Sequence, residues 1–207
     1  MDLAAYFATP PPADAELPIH IKGAIRNDLP ALFASRGYTR GAEIGVYKGY
    51  YSLALCAGIP NLHLTCVDRW CPYRNMKTGR TIFHSSIKAY DEARELLRPY
   101  HCDFLKMDSL AAAKEIPDHS LDFVYIDADH WLTAVINDLQ AWIPKVRPGG
   151  VIAGHDYDLH VSEGNSVRVA VKAWAEVMQI RPWWVLGRPK VLRGEPVDPE
   201  LTWMWFA

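Results

Sequence analysis

Apolar and polar positions alternate in short blocks along this chain, and most blocks predict one strand or one helix. Short apolar runs bounded by polar or turn-forming residues are typical of buried parallel strands. Five such runs cover 42–46, 62–67, 101–106, 121–126 and 149–153. Helical spacing of apolar residues is clearest over 130–143 and 166–178. Strands that alternate with helices predict an α/β fold with a mostly parallel sheet.

The N-terminal part of the chain departs from this alternation. The first 18 residues hold four prolines among small and acidic residues, which predicts an irregular proline-rich leader over 1–18. One domain is then expected over 19–207, with a covering helix over 19–35. Pro30 predicts either a break in that helix or a new helix start.

The C-terminal part changes character again. Residues 183–187 and 201–206 are aromatic and β-prone, and the stretch between them has no helical pattern. They predict an antiparallel pair of strands that closes the sheet. Their tryptophans should pack against helices and one another, with a dimer interface as the alternative. These are Trp183, Trp184, Trp203 and Trp205.

Composition and charge narrow the class of partner. A length of 207 residues fits one domain, and a hydrophobic content of 50% disfavours disorder. The formal net charge of -2 gives no overall field for nucleic acid or an anionic membrane, so the predicted partner is a small molecule. No signal peptide or membrane-spanning pattern is found, which predicts a cytoplasmic protein. The four cysteines form no C-x-x-C pair and are expected to be reduced thiols.

The loop after the first predicted strand has the composition of a ligand-binding turn. Gly45 and Gly49 allow a ligand close to the backbone, and the following helix offers free N–H groups. Their spacing differs from the dinucleotide fingerprint, whose glycines stand at offsets of about 0, 2 and 5. Glu43 would repel a pyrophosphate and attract an ammonium group. These features favour a nucleoside that carries an amino acid.

The ends of the next two strands supply further polar residues. Asp68 lies about 20 residues after the glycine turn, where an acidic side chain can accept both ribose hydroxyls. Trp70 is expected to flank the adenine, with Asp108 and Ser109 near its amino group and ring nitrogens. A helix N-cap is the alternative for Asp108. The irregular, aromatic and basic stretch 70–88 predicts either a functional lid or an ordinary solvated loop.

Acidic residues and histidines also end the fourth and fifth strands. Asp127 and Asp129 precede a predicted helix and could cap it. Because neighbouring strand ends can converge, Asp127, His155 and Asp156 could instead hold Mg²⁺ or another divalent cation. His155 could otherwise be a general base, and a capped core without a metal remains an alternative. His130 is a candidate base, a cofactor neighbour or a first-turn helix residue.

Together these motifs resemble the class I S-adenosylmethionine-dependent methyltransferases, in particular the small-molecule O-methyltransferases similar to methyltransferase family 24. The resemblance covers roughly 40–207. It rests on the glycine loop, the strand-end acids, the stretch 121–130 and Pro148-Gly149-Gly150. It implies a Rossmann-like, doubly wound sheet of seven strands, mostly parallel with an antiparallel last strand. Tyr47 stands where many members carry glycine.

The resemblance also implies a cofactor site and a reaction. The residues expected to bind S-adenosylmethionine are Glu43, Gly45, Tyr47, Gly49, Asp68, Arg69, Asp108, Ser109 and Asp127. Metal-dependent relatives similar to the catechol and caffeoyl-CoA types bind a divalent cation at positions matched by Asp127, His155 and Asp156. The predicted activity is methyl transfer to a hydroxyl of a small molecule, with Asp127, His155 and His130 as catalytic candidates and a homodimer as the predicted assembly. The alternatives are a metal-dependent hydroxylase-like relative and a non-catalytic binding module.

Overall fold

One eight-stranded sheet organises the computed structural model, which describes residues 1–74, 81–82, 86–158, 166–187 and 201–207. In chain order the strands are β1 (Ile19–Ile21), β2 (Arg40–Ile44), β3 (His63–Asp68), β4 (Tyr73–Arg74), β5 (Thr81–Ile82), β6 (His101–Lys106), β7 (Leu121–Ile126), β8 (Val146–Gly154), β9 (Trp184–Leu186) and β10 (Thr202–Phe206). The order across the main sheet is β1-β9-β10-β8-β7-β2-β3-β6, and β4 and β5 form a separate pair.

The predicted parallel core of the sheet is confirmed. Strand β2 pairs in parallel with β3 and β7, β3 with β6, and β7 with β8. The predicted C-terminal pair is also confirmed, because β10 is antiparallel to both β9 and β8. Seven strands therefore follow the expected Rossmann-like arrangement.

The eighth strand, β1, corrects the prediction of a helix over 19–35. Ile19 and Ile21 turn toward the protein while His20 is exposed, which is the period of a strand, and β1 pairs in parallel with β9 at the sheet edge. A strand of three residues is too short to show this alternation in the sequence. The helix itself begins at Leu29 with Pro30 in its first turn, as the proline predicted.

Seven helices are present among the described residues. They are α1 (Leu3–Tyr6), α2 (Leu29–Ser35), α3 (Tyr50–Gly58), α4 (Ser86–Leu96), α5 (Ser109–Glu115), α6 (Leu132–Trp142) and α7 (Val167–Val177). Short 3-10 turns occupy Arg26–Asp28 and Ile143–Lys145. Helix α1 shows that the predicted leader is not irregular throughout, since Asp2 caps α1 and Leu3 is buried in the core. Within the described ranges no helix has the length and apolar content that spanning a bilayer requires.

Two hydrophobic clusters hold the helices against opposite faces of the sheet. Helices α1 to α4 cover one face and α5 to α7 the other. The four tryptophans of the C-terminal strands are at most 4% exposed, which confirms that they pack inside the protein. They offer no exposed face for a dimer, and the predicted homodimer stays a prediction.

Parallel pairing places one set of loops at a single edge of the sheet. The strands β2, β3, β6, β7 and β8 all run in the same direction. Their carboxyl ends and the loops after them therefore lie side by side, which is where ligands bind in open α/β sheets. The sequence-predicted polar residues all follow or end these strands.

Candidate active site

The turn after β2 has a backbone that requires glycine. Gly45 has a φ of +94°, and a Cβ at this position would overlap the backbone carbonyl of Asp127. Gly49 also has a left-handed φ, of +81°, and caps α3. Tyr47 adopts a left-handed φ of +50° between them and keeps 45% of its surface exposed. The predicted turn thus lies at the carboxyl edge, in contact with the loop after β7.

Asp68 ties this turn to the loop after β3. Its two carboxylate oxygens accept hydrogen bonds from the backbone N–H groups of Tyr47 and Trp70, each at 2.8 Å. The Trp70 indole donates back to the Tyr47 carbonyl at 2.7 Å. The three residues therefore form a closed set of hydrogen bonds around a half-buried carboxylate.

Trp70 does not have the position predicted for it. Its side chain is 2% exposed and packs on Tyr90 at 4.9 Å between ring centroids, so it has no free face for an adenine. The structure makes it a support for the turn. Residues 75–80 and 83–85, half of the rest of the predicted lid 70–88, lie outside the described residues.

The predicted adenine-side residues lie together after β6. Asp108 caps α5 by accepting the Leu110 N–H at 3.0 Å, as the capping alternative predicted. Its other oxygen lies 3.2 Å from the Arg69 guanidinium, and both side chains are about half exposed (48% and 52%). The pair therefore faces the open edge next to Asp68.

The Ser109 hydroxyl, in contrast, is hydrogen-bonded toward the protein interior. Its hydroxyl donates to Asp138 at 2.5 Å and accepts the Trp142 indole N–H at 2.8 Å. Burial raises the pKa of Asp138 to about 6 despite the hydrogen bond from Ser109. This buried group joins α5 to α6, so the Ser109 hydroxyl positions the start of α5.

Glu43 lies under the glycine turn and does not face the edge. The carboxyl group is 1% exposed and accepts a hydrogen bond from the Ser52 hydroxyl on α3. Burial raises the pKa of Glu43 to about 8, against the lowering effect of the Ser52 hydrogen bond. Contact with an ammonium group, as the sequence suggested, would require Glu43 to leave this position. The structure places it as a link between β2 and α3.

Replacing Glu43 with glutamine should flatten the pH dependence of stability. The folded-state pKa of about 8 lies above the usual glutamate pKa of 4.5, so between these values the folded protein keeps a proton that the unfolded chain releases. Stability contributed by this group is therefore lost as pH rises through that window. We expect wild type to lose up to about 1.4 kcal/mol of unfolding free energy per pH unit relative to Glu43→Gln.

Urea unfolding at pH 5, 6, 7 and 8 measures this difference. Glu95→Gln is the matched control, because Glu95 is 73% exposed and pairs with Arg98 on the surface. Parallel pH dependences in wild type and Glu43→Gln would contradict a buried, protonated Glu43.

A cluster of two carboxylates and one imidazole lies at the ends of β7 and β8. One ligand atom each from Asp127, His130 and Asp156 lies within 4.8 Å of the others. The His130 Nε2 atom is 2.7 Å from Asp156 Oδ2 and 3.9 Å from Asp127 Oδ1. Nε2 is buried yet lacks a hydrogen bond of normal geometry among the described residues. A convergent, poorly hydrogen-bonded donor set of this kind fits a divalent cation.

The metal set predicted from the sequence, Asp127, His155 and Asp156, stays a prediction. In the structure the ligand atoms that converge within the spacing of a metal site come from the two carboxylates and His130. His155 is 6% exposed, with Nδ1 at 3.3 Å from Asp156 and 3.9 Å from Asp127. Asp156 itself has a left-handed φ of +58° directly after His155. Two histidines therefore lie close to the two carboxylates.

Interactions within the cluster shift the pKa values of His130 and Asp156. Burial alone would lower the pKa of His130, but the interactions with Asp127 and Asp156 outweigh it and raise the pKa to about 10. Burial alone would raise the pKa of Asp156, but both histidines hold it below its usual range. The shift favours the protonated form of His130. A bound divalent cation would compete with that proton.

Arg26 is a site residue that the sequence did not reveal. Its guanidinium lies 3.4 Å from Asp127 Oδ2 and 5.1 Å from the centroid of the Tyr51 ring. The Tyr51 hydroxyl donates to the Arg26 carbonyl at 3.1 Å and fixes this segment. Arg26 precedes Asp127 by 101 residues, so no local pattern connects the two.

Asp129 accepts a hydrogen bond from the Trp131 N–H at 3.1 Å. Trp131 is the N-cap of α6, which has no side-chain capping bond, so the predicted capping of this helix by Asp129 is not confirmed.

The fold is a Rossmann-like α/β sheet. The glycine turn (Gly45 to Gly49) follows β2, and the acidic cluster at the ends of β7 and β8 lies beside it. Residues 42–157 match the family 24 model, described as a methyltransferase domain. This match covers more than half of the chain. The protein therefore belongs to the family 24 methyltransferase domains.

One curated relative is similar to part of this chain. The chain is 27% identical over 148 residues to the uncharacterized protein y4gI of Sinorhizobium fredii (strain NBRC 101917 / NGR234), covering 69% of this chain. The match with this chain spans about 15% of the length of that relative.

Three solved structures share the fold. The O-methyltransferase from Bacillus cereus in complex with SAH has a TM-score of 0.59 at 18% identity, over 99% of this chain and 87% of that one. TomG from Streptomyces achromogenes, an O-methyltransferase of tomaymycin synthesis in complex with SAM, has a TM-score of 0.58 at 15% identity, over 87% and 78%. Cofactor-bound Rv0187 from MTB has a TM-score of 0.61 at 18% identity, over 99% and 87%.

Proposed function

We propose that this protein transfers a methyl group from S-adenosylmethionine to a hydroxyl group of a small molecule, with a divalent cation at Asp127, His130 and Asp156. The observation that carries the proposal is the contact between the two halves of the site. Gly45, in the glycine turn after β2, packs directly on the Asp127 backbone. A cofactor bound at this turn would therefore lie beside the acidic cluster. The solved relatives in complex with SAM or SAH support the same reaction class.

The turn and the strand-end acids are assigned to the cofactor. Asp68 keeps lone pairs beyond its two backbone hydrogen bonds and would accept the ribose hydroxyls. Gly45 to Gly49 would hold the amino-acid part, and Arg69 with Asp108 would border the adenine. Glu43 acts indirectly, by holding α3 through Ser52. The cofactor supplies an electrophilic methyl group, and the protein's contribution is mainly alignment for in-line displacement.

The cluster at β7 and β8 is assigned to the acceptor. A divalent cation would lower the pKa of a coordinated hydroxyl group and orient it. The Asp127 and Asp156 carboxylates and the His130 imidazole would hold the cation. The His155 Nδ1 atom, 3.3 Å from Asp156 Oδ1, would orient that carboxylate.

Calorimetric titration with S-adenosylhomocysteine tests the cofactor assignment. We expect micromolar binding, and a further heat signal on titration of Mn²⁺ or Mg²⁺ into the protein. Failure of S-adenosylhomocysteine to bind with or without these metals would overturn the methyltransferase proposal. Metal binding without cofactor binding would leave a metal protein of another activity.

Removal of the Arg26 charge should strengthen the metal site. The guanidinium lies 3.4 Å from Oδ2 of Asp127, on the carboxylate that would hold the cation, so the two positive charges compete. The pair is partly exposed, and its strength is about 0.5–1 kcal/mol. We therefore expect Arg26→Met to tighten Mn²⁺ binding about two- to five-fold by calorimetry.

Arg26→Lys keeps the charge and is the control, for which we expect an affinity near that of wild type. Weaker Mn²⁺ binding in Arg26→Met would mean that Arg26 instead holds Asp127 in its ligating position.

A further inference from the structure

Two cysteine thiols meet on the other side of α3 from the turn. Cys56 on α3 and Cys102 on β6 are 46 residues apart in the chain, and their Sγ atoms are 3.6 Å apart. Both are free thiols. Cys56 is 7% exposed, whereas Cys102 is partly exposed because β6 is the edge strand of the sheet. A small solute can therefore reach the pair from the Cys102 side.

Neighbouring groups shift the pKa values of the two thiols in opposite directions. Hydrogen bonds from Cys56 and Cys66 lower the pKa of Cys102, and the nearby His63 and His101 add to the effect against the opposing effect of burial. The hydrogen bond with Cys102 and burial raise the pKa of the Cys56 thiol. The direction of these shifts favours Cys102, the more exposed of the two thiols, as the one that loses its proton. A thiolate next to a thiol is the arrangement of a redox-sensitive pair.

Cys66 is a poorer partner for Cys102. Its side chain is 0% exposed, and its Sγ lies 4.0 Å from the Ser52 hydroxyl. A bond to Cys66 would have to form inside the closed core, while Cys56 faces Cys102 at the edge. The 3.6 Å contact therefore selects Cys56.

We propose that Cys56 and Cys102 are a modification site that a hydroperoxide oxidises to a reversible disulfide. The Cys102 thiolate attacks one peroxide oxygen, the O–O bond breaks, and the leaving oxygen takes a proton to become water when the oxidant is hydrogen peroxide. Cys102 is then a sulfenic acid. The Cys56 sulfur attacks it, the S–O bond breaks, and the Cys56 proton leaves with the hydroxyl as a second water. The two sulfurs lose two electrons, which reduce the peroxide.

The disulfide would act on the turn through α3. A disulfide needs about 2.05 Å between sulfurs, so α3 and β6 must approach. Ser52 lies one turn before Cys56 on α3 and donates to Glu43 below the glycine turn. We expect oxidation to disturb this link and weaken S-adenosylhomocysteine binding at least five-fold. This consequence rests on the proposed function, whereas the disulfide does not.

The test is hydrogen peroxide treatment of the whole protein followed by mass spectrometry. We expect a loss of two hydrogens, a Cys56–Cys102 cross-linked peptide, and reversal by dithiothreitol. Cys56→Ser and Cys102→Ser should prevent the cross-link, while Cys71→Ser is the matched control because Cys71 is exposed and outside the pair. A Cys66–Cys102 link, or oxidised Cys102 with no cross-link in wild type, would overturn the proposal.

Titration of S-adenosylhomocysteine into reduced and oxidised protein separates the two claims. A five-fold loss of affinity on oxidation, restored by dithiothreitol, supports the coupling. Equal affinities in the presence of the disulfide would overturn the coupling alone. No binding to the reduced protein would overturn the proposed function and leave the cross-linking result unaffected.

Discussion

Asp68→Ala is expected to weaken S-adenosylhomocysteine binding by about 100-fold or more, equivalent to about 2.7 kcal/mol. The substitution removes the acceptor proposed for the ribose hydroxyls. It also removes the acceptor of two backbone N–H groups, those of Tyr47 and Trp70. Hydrogen bonds to a charged group contribute about 1.5–3 kcal/mol each, so the turn itself loses its order. Calorimetric titration measures the loss.

Asp118→Ala is the control for this experiment. Asp118 is 60% exposed, pairs with Lys145 and lies before β7, at the opposite edge of the sheet. Its S-adenosylhomocysteine affinity should equal that of wild type. Circular dichroism confirms that both variants fold. Wild-type affinity in a folded Asp68→Ala protein would remove the ribose assignment.

Asp156→Asn is expected to abolish the Mn²⁺ response and to lower the methyl transfer rate about 100-fold or more. Asparagine keeps the shape of the side chain and tolerates the left-handed φ of +58° at this position. The change therefore removes one ligand charge next to His130 without disturbing the chain. S-adenosylhomocysteine affinity without metal should stay unchanged. Asp156 follows β8, whereas the cofactor is assigned to the glycine turn after β2 and to the loops after β3 and β6.

Asp158→Asn provides the comparison, since Asp158 lies two residues later and pairs with Arg168 away from the cluster. It should keep both metal binding and transfer. If Asp156→Asn transfers methyl groups at the wild-type rate, and EDTA leaves wild type equally active, the cluster has no metal role in the reaction.

The strand pattern was predictable because it depends on neighbours in the chain. The runs 101–106 and 121–126 match β6 and β7 residue for residue, since buried strands have a local signature of apolar residues and flanking turns. Parallel strands also align their carboxyl ends. The sequence could therefore place Asp68, Asp127 and Asp156 at one edge before any distance was known.

Burial within that edge was not predictable in the same way. Glu43 and Trp70 belong to the predicted site by position, yet both side chains are at most 2% exposed. Whether a residue next to a loop faces solvent or the core depends on the elements packed over it. For Glu43 this element is α3, and for Trp70 it is α4 with Tyr90.

By itself, the sequence determined the α/β class, the glycine turn and the strand-end acids of this family 24 methyltransferase domain, because each follows from local composition and spacing. The tertiary structure decided which side chains meet. It brought Arg26 to Asp127, grouped His130 with Asp127 and Asp156, and placed the Cys56 and Cys102 thiols in contact. These contacts depend on the packing of segments against one another, which leaves no local pattern in the chain.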